Sequence, residues 1–498
     1  MKLEDTEVIK KITREVLTLF KIDDELLIEN DLSNGIVTTQ LTIGGKIFIK
    51  SDSINPLERE GAEIHRLVKK NLYEIFVENF GKESAPYGIM HGVRPTKIIH
   101  RWIRSNNNLE CRMQNAEFLI ERIKADYLVS DEKARLLTEV ALKQIPILKT
   151  SDEKTISVYV GIPFCVTRCL YCSFPSNVLP NDKKISEFMA ALQKDIESAR
   201  NLIDRYNFKV QNIYIGGGTP TALPNIFFAQ MMKMIFESFY QEYTKEFTVE
   251  CGRPDTINFE KIAVMNQCKV NRVSVNPQTM RQRTLDLIGR RHSPTDIINA
   301  FNDLRSNGEW LINMDLILGL PGESVDDVKF SVEEVLKLKP DDITIHALAL
   351  KRGSRLQMNL ADDLIDLNKL KLPSDQIVRD MAIIAEKLIR SQNYKPYYLY
   401  RQGYMSGQIE NVGYCLDGAE GIYNVQIMDE RQTIIGVGGA ATTKIVDFKN
   451  NCLQSVFNAK DLITYIRDVD IYIRKRDDLL EKIILQNDEA KYDGQNEN

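Results

Sequence analysis

From Ile156 onward the chain alternates short apolar runs with amphipathic stretches. ISVYV (156–160), VQNIYIG (210–216), EFTVEC (246–251), VNRVSV (270–275), LINMDLI (311–317) and ITIHAL (343–348) read as strands. Between them, at about 183–205, 222–240, 257–267, 293–307 and 325–338, apolar positions recur at the helical period. A strand buried on both faces needs a crossover helix before the next parallel strand. Six such units predict an α/β fold, a partial (β/α)6 barrel over 151–360. Loops after the carboxyl ends of such strands form the active site.

The flanking regions pattern differently. Residues 1–150 mix a helical VIKKITREVLTLF, short alternations in GIVTTQLTIGGKIFIK, and helical patterns at about 57–80 and 110–142. They predict a separate N-terminal α+β accessory domain. Beyond 360 a polar helix-rich segment reaches 392, YKPYYLYRQGYMSG looks turn-like, TIIGVGGAATTK suggests a last strand and glycine turn, and 455–490 looks helical. Residues 361–498 therefore predict a mostly helical C-terminal extension covering the substrate.

Composition narrows the class. The 498 residues are 43% hydrophobic and 27% charged, with net charge -5, the balance of a soluble globular protein without general attraction to nucleic acid or anionic membrane. No helix-turn-helix or zinc-finger pattern occurs, so no nucleic-acid partner is expected. The charged opening MKLEDTEVIKKITREVLTLF is unlike a signal peptide, and no run of 18 apolar residues suggests a membrane span. A cytoplasmic location follows as the expectation. Size and this compartment argue against pairing the eight cysteines as disulfides.

Three of those cysteines, Cys165, Cys169 and Cys172, fall within eight positions as C-x3-C-x2-C after the first barrel strand. Soft thiolates suit iron. Three on one loop can hold three irons of a [4Fe–4S] cube and leave the fourth open. Structural zinc needs four ligands, and no nearby histidine or cysteine completes this set. Chance clustering is the remaining alternative. Farther on, the glycine run 216–218 lets a ligand approach backbone closely, and no GK[ST] follows to make it a Walker loop. Asp315 sits inside an apolar strand, which is costly without a partner.

The cysteine spacing, with Tyr171 just before the third cysteine, resembles the radical S-adenosylmethionine (SAM) superfamily. Residues 156–440 resemble, more narrowly, the oxygen-independent coproporphyrinogen III oxidase family. PYGIMHGVRPTKI is similar to the N-terminal signature of its longer HemZ-type coproporphyrinogen dehydrogenase branch. The resemblance implies one [4Fe–4S] cluster on Cys165, Cys169 and Cys172, with one or two SAM molecules cleaved to a 5′-deoxyadenosyl radical. It implies SAM contacts from Tyr159, the Phe174 backbone, Gly217, Gly218, Thr219, Glu250, Gln278, Arg290 and Asp315, with Arg290 on the SAM carboxylate. The implied reaction is oxidative decarboxylation of two propionates of coproporphyrinogen III to protoporphyrinogen IX, in heme biosynthesis. A reduced flavodoxin- or ferredoxin-type donor and a monomeric enzyme accompany it.

A tetrapyrrole with four carboxylates calls for cations beside aromatics. Arg253 and Arg401 are the first candidates, with Tyr159 as the third catalytic candidate; Arg291, Lys351 and Arg352 follow. The chain departs from the oxidases at Gly161, where they carry histidine, and at Phe174, where they carry a fourth cysteine. It departs from the related heme-chaperone branch at Glu410, where that branch carries histidine. Another radical SAM enzyme acting on porphyrin or heme, and a heme chaperone-like heme-binding protein, are the alternative readings.

Overall fold

Two units, Met1–Leu142 and Lys143–Asn498, divide the chain in this computed structural model. It describes residues 7–20, 26–43, 45–56, 60–80, 86–90, 92, 94–104, 115–172, 174–349, 371–402, 405–450 and 452–495.

In the first unit, β1 (Leu27–Ser33), β2 (Ile36–Ile43) and β3 (Lys46–Ser53) form an antiparallel sheet in that order. Asn34 and Gly35 turn the first hairpin with φ of 52° and 74°, which the Asn-Gly pair adopts readily. The second strand buries Val37, Thr39 and Leu41. Leu41 meets Leu72, Ile75 and Phe76 of helix Glu60–Phe80 and Val16 of helix Glu7–Phe20.

In the second unit the six predicted strands form: β4 (Thr155–Ile162), β7 (Lys209–Gly217), β8 (Glu246–Glu250), β9 (Arg272–Ser274), β10 (Leu311–Leu318) and β11 (Asp342–Ala347). Each pairs in parallel with the next. The short β5 (Phe164–Cys165) and β6 (Asn177–Val178) pair within the loop after β4. Ile156, Val158, Val160 and Ile162 are fully buried on one face and Thr155, Ser157 and Gly161 are buried on the other, as a strand covered on both faces requires. The crossover helix Asp182–Arg205 buries Ile185, Phe188, Leu192, Ile196 and Ala199, a 3–4 spacing along one face. Asn181 caps its start, and Ser293 and Ser324 begin helices Pro294–Asn307 and Val325–Leu338 with capping boxes.

The region expected to be mostly helical adds, beside its helices, five strands to the same sheet: β12 (Lys395–Tyr400), β13 (Asn411–Cys415), β14 (Thr433–Gly438), β15 (Thr442–Asp447) and β16 (Cys452–Phe457). The eleven-stranded order is β12-β13-β11-β10-β9-β8-β7-β4-β14-β15-β16. Pro396 made the β12 segment look like a turn, but this strand lies at the sheet edge, where a missing N–H is tolerated. The glycine-rich β14 pairs in parallel with β4. The expected boundary at 360/361 lies outside the described residues.

Helices do complete this region. Asp195 of the first crossover helix accepts from Gly438 N, Asn458, Tyr465 and Arg476, which fastens helix Leu462–Gln495 to the barrel. Among the described residues no helix is long and apolar enough to cross a membrane.

Candidate active site

The loop after β4 carries the three cysteines and is sewn to its neighbours by backbone hydrogen bonds. Leu170 N donates to Ile288 O at 3.0 Å, and Leu179 N to Cys165 O at 2.9 Å. The glycine loop after β7 ties to the same segment: Gly218 N donates to Ile162 O and Thr219 N to Phe164 O, at 2.9 and 2.6 Å. That approach explains a bare glycine. A Cβ on Gly218 would stand 2.4 Å from Phe164 O.

Each cysteine has its own polar neighbour. Thr219 Oγ1 lies 3.6 Å from Cys165 Sγ. Arg253 Nη1 donates to Cys169 Sγ at 3.2 Å. Burial pushes the Cys172 thiol up, opposed by a hydrogen bond from the Phe174 backbone. The Phe174 side chain itself is 61% exposed. Among the described residues no three His, Cys, Asp or Glu side chains gather as a single-ion metal site. A cube places each thiolate on a different iron, so its ligands need not converge on one point. Three thiols on one loop, each with a hydrogen-bonding neighbour, fit that donor set.

Inside the barrel are two buried carboxyls, and the charge of Asp315 acts on Glu250. Glu250 ends β8, accepts from Tyr214 Oη at 2.6 Å and receives a hydrogen bond from the Gly217 backbone. Burial pushes its pKa up to about 7; Tyr214 pulls it down and the charge of Asp315 adds to the rise. Asp315 goes the other way. Burial opposes its ionisation, but His346, Asn313 and Thr344 hold it below the usual carboxylate range. Asn313 donates to it at 2.7 Å, and His346 Nε2 stands 3.6 Å away. The other His346 ring nitrogen is 3.3 Å from Tyr400 Oη.

Tyr159 stacks with Tyr214 and Tyr423 at centroid distances of 6.1 and 6.3 Å. Burial, and then the Glu250 charge, raises its phenol pKa. Gln278 has a left-handed φ of 66°, uncommon without glycine, and its backbone bonds both ways with β10. Arg290 donates to Gly252 O and Asn276 O at 3.0 and 2.7 Å and to Tyr171 Oη at 3.2 Å, while its Nε keeps no partner. Ser274 Oγ and Asn276 Oδ1 are likewise buried without a partner.

The structure thus brings Cys165, Cys169, Cys172, Gly217, Gly218, Thr219, Glu250, Gln278, Arg290 and Asp315 to the carboxyl half of the barrel, with Tyr159 in its wall. Arg401 directly follows β12 and is half-buried. Arg253 differs from its expected role at a substrate carboxylate: it is 3% exposed, with its guanidinium occupied by Cys169 and Thr167. Lys351 and Arg352 lie outside the described residues.

Sequence reasoning passed over Tyr214 and His346, the partners of the two acids. Tyr214 lies two residues before the glycine run in its own strand, whereas His346 lies on β11 beside the strand of Asp315, a proximity no sequence spacing shows. Gly161 now has a structural reason: a Cβ there would meet Gly439 O at 2.3 Å, and Gly161 pairs with Gly438 of β14. The backbone just after β14 occupies the space a side chain at this position would need.

Residues 159–335 match the Radical SAM superfamily, an enzyme class that binds a [4Fe–4S] cluster and SAM. The oxygen-independent coproporphyrinogen-III oxidase-like protein HemZ of Bacillus subtilis (strain 168) is 37% identical over 407 residues, covering 80% of this chain and 77% of that protein. The heme chaperone HemW of Lactococcus lactis subsp. lactis (strain IL1403) is 30% identical over 304 residues, 60% of this chain and 72% of the relative. The solved coproporphyrinogen III oxidase HemN of Escherichia coli aligns with TM-score 0.53 and 22% identity, over 66% of this chain and 72% of that one, which shows a shared fold.

Proposed function

We propose, since the chain belongs to the HemZ-type oxygen-independent coproporphyrinogen-III oxidase-like family of radical SAM enzymes, that it decarboxylates propionate side chains of a coproporphyrinogen III-type tetrapyrrole. The observation that carries this reading is the cysteine loop beside a barrel wall holding Glu250 and Asp315.

When bound, a cluster on Cys165, Cys169 and Cys172 and SAM supply one-electron cleavage of a sulfonium C–S bond and a radical able to take a β-hydrogen. Each propionate then yields a vinyl group, carbon dioxide and one electron for an acceptor. The chain's residues prepare the place. Ionised Asp315, and Glu250 when ionised above its raised pKa of about 7, attract a ligand carrying sulfonium and ammonium charge. Arg290 offers its unpartnered Nε side to a carboxylate. The stacked Tyr159, Tyr214 and Tyr423 exclude water from one wall. Arg401, at the end of β12, is assigned to a tetrapyrrole carboxylate.

The test is anaerobic. Reconstituted protein is mixed with SAM, a low-potential reductant and coproporphyrinogen III, and 5′-deoxyadenosine, carbon dioxide and tetrapyrroles are measured. Substrate-stimulated deoxyadenosine with matching carbon dioxide is expected. Deoxyadenosine unaffected by the substrate, with no decarboxylation, would sink the proposal, and heme retention without SAM cleavage would replace it with a carrier role.

A further inference from the structure

The three cysteines do not share one environment. Cys165 has a hydroxyl neighbour and Cys172 a backbone amide, whereas Cys169 has a guanidinium. Only that donor carries full charge. Arg253 reaches back to the same loop a second time, donating through its other Nη to Thr167 Oγ1. Its Nε makes no hydrogen bond, and the nearest paired carboxylate, Asp255, stands 3.7 Å away on a partly exposed side chain. The cation is therefore only partly compensated where it meets the sulfur.

Its surroundings add to this. Arg290 also faces Cys169. His292 is 2% exposed with neither ring nitrogen hydrogen-bonded, and is pushed down to about 3 by burial and then by Arg290 and Arg253. The wall beside Cys169 thus holds two guanidiniums and a neutral imidazole.

We propose that Arg253 is a positioning residue for an iron–sulfur cluster: it fixes Cys169 and Thr167 and makes the cluster easier to reduce. The inference rests on the reading that Cys165, Cys169 and Cys172 hold that cluster. An electron added to a cluster spreads negative charge onto its sulfurs. Hydrogen bonds to those sulfurs and a nearby buried cation stabilise the reduced form and raise the potential. A substrate-binding arginine would not alter this quantity in the absence of substrate.

Two variants should move the potential in opposite directions. Arg253→Gln removes the cation, and Asp255→Asn removes its counter-charge without touching a cysteine. Each is reconstituted anaerobically beside the wild type, assayed for iron and circular dichroism, and titrated reductively with the reduced cluster followed by electron paramagnetic resonance. At a fixed potential the reduced-to-oxidised ratio should fall about tenfold in Arg253→Gln, a one-electron midpoint shift of ~59 mV to more negative values. Asp255→Asn should shift it to less negative values by a smaller amount. Equal midpoints in all three iron-loaded proteins would overturn this inference and leave the cluster reading intact. Failure of the wild type to take up a cluster would overturn the cluster reading and this inference with it. Should Arg253→Gln fold but bind no iron, the sign of the Asp255→Asn shift decides: less negative sustains the proposal, unchanged or more negative refutes it.

Discussion

The same strands carry charged residues at their starts and near their ends, and the two sets behave differently. At the starts, Arg272 of β9 lies between Glu246 of β8 and Asp342 of β11, at 3.3 and 2.9 Å. Further donors join the set: Tyr397 Oη donates to Asp342 Oδ2, and the amides of Ile422 and Tyr423, opening helix Ile422–Asp429, donate to Glu246, while Asp342 Oδ1 keeps no hydrogen-bond partner. Burial pushes Asp342 up and Arg272 pulls it back. Near the ends, Glu250 and Asp315 have hydroxyl, amide and imidazole partners but no guanidinium among the described residues, and the charge of Asp315 bears on Glu250. A closed set of opposite charges holds the strands together. An acidic pair without a resident cation is suited to receive one. That difference separates a structural ion network from a binding site, although both consist of buried charged side chains.

Breaking the closed set should cost the most stability. Arg272→Met leaves two buried carboxylates without their cation, and a loss of ~3–5 kcal/mol is expected in chemical denaturation. Iron bound per folded chain should stay at the wild-type value. A loss below about 1 kcal/mol would show that Arg272 is not the keystone of that end. Gly161→Ala comes next. Its Cβ would press on Gly439 O at 2.3 Å, and the overpacking should cost ~1–3 kcal/mol in thermal unfolding. Because Cys165 is four residues on, iron content should fall too, whereas stability loss with full iron would confine Gly161 to packing. Glu250→Gln should do the reverse of Arg272→Met. Removing a crowded carboxylate should leave stability equal or higher, while SAM binding by calorimetry weakens about tenfold, ~1.4 kcal/mol.

The sequence disclosed these two ends unequally. Six parallel strands were legible because each is an apolar run bounded by a helical repeat, and the cysteine spacing is a local signal. Of the later strands only β14 was, in TIIGVGGAATTK. β12 contains Pro396 and β13 is short and glycine-bearing, so their strand character comes from pairing with each other and with β11. Arg253 was misplaced for a related reason. Its position after β8 was visible, but its direction depends on Thr167 and Cys169, more than eighty residues earlier. The Glu246–Arg272–Asp342 set was invisible because each member is the first polar residue of its own strand and no spacing links them.

The smallest expected effect is the sharpest test, because one group should produce two opposite trends with pH. The Glu250 pKa stands at about 7, above its ordinary value of 4.5. Its contribution to folding stability is therefore fully present below about 4.5 and lost as pH rises through 7. Attraction for a cationic ligand runs the other way. Below pH 7 the carboxyl is protonated in the free protein, so binding SAM must expel a proton and the affinity falls. Linkage gives a weakening of about fivefold between pH 7 and 6, approaching tenfold per unit lower down. Calorimetry in two buffers of different ionisation enthalpy should detect up to one proton released per SAM bound at pH 6. In Glu250→Gln both the affinity slope and this release should vanish, and the wild-type stability gain toward low pH should shrink. A stability trend without an affinity trend would make Glu250 a buried structural acid and move the carboxyl end of β8 into the same class as its start.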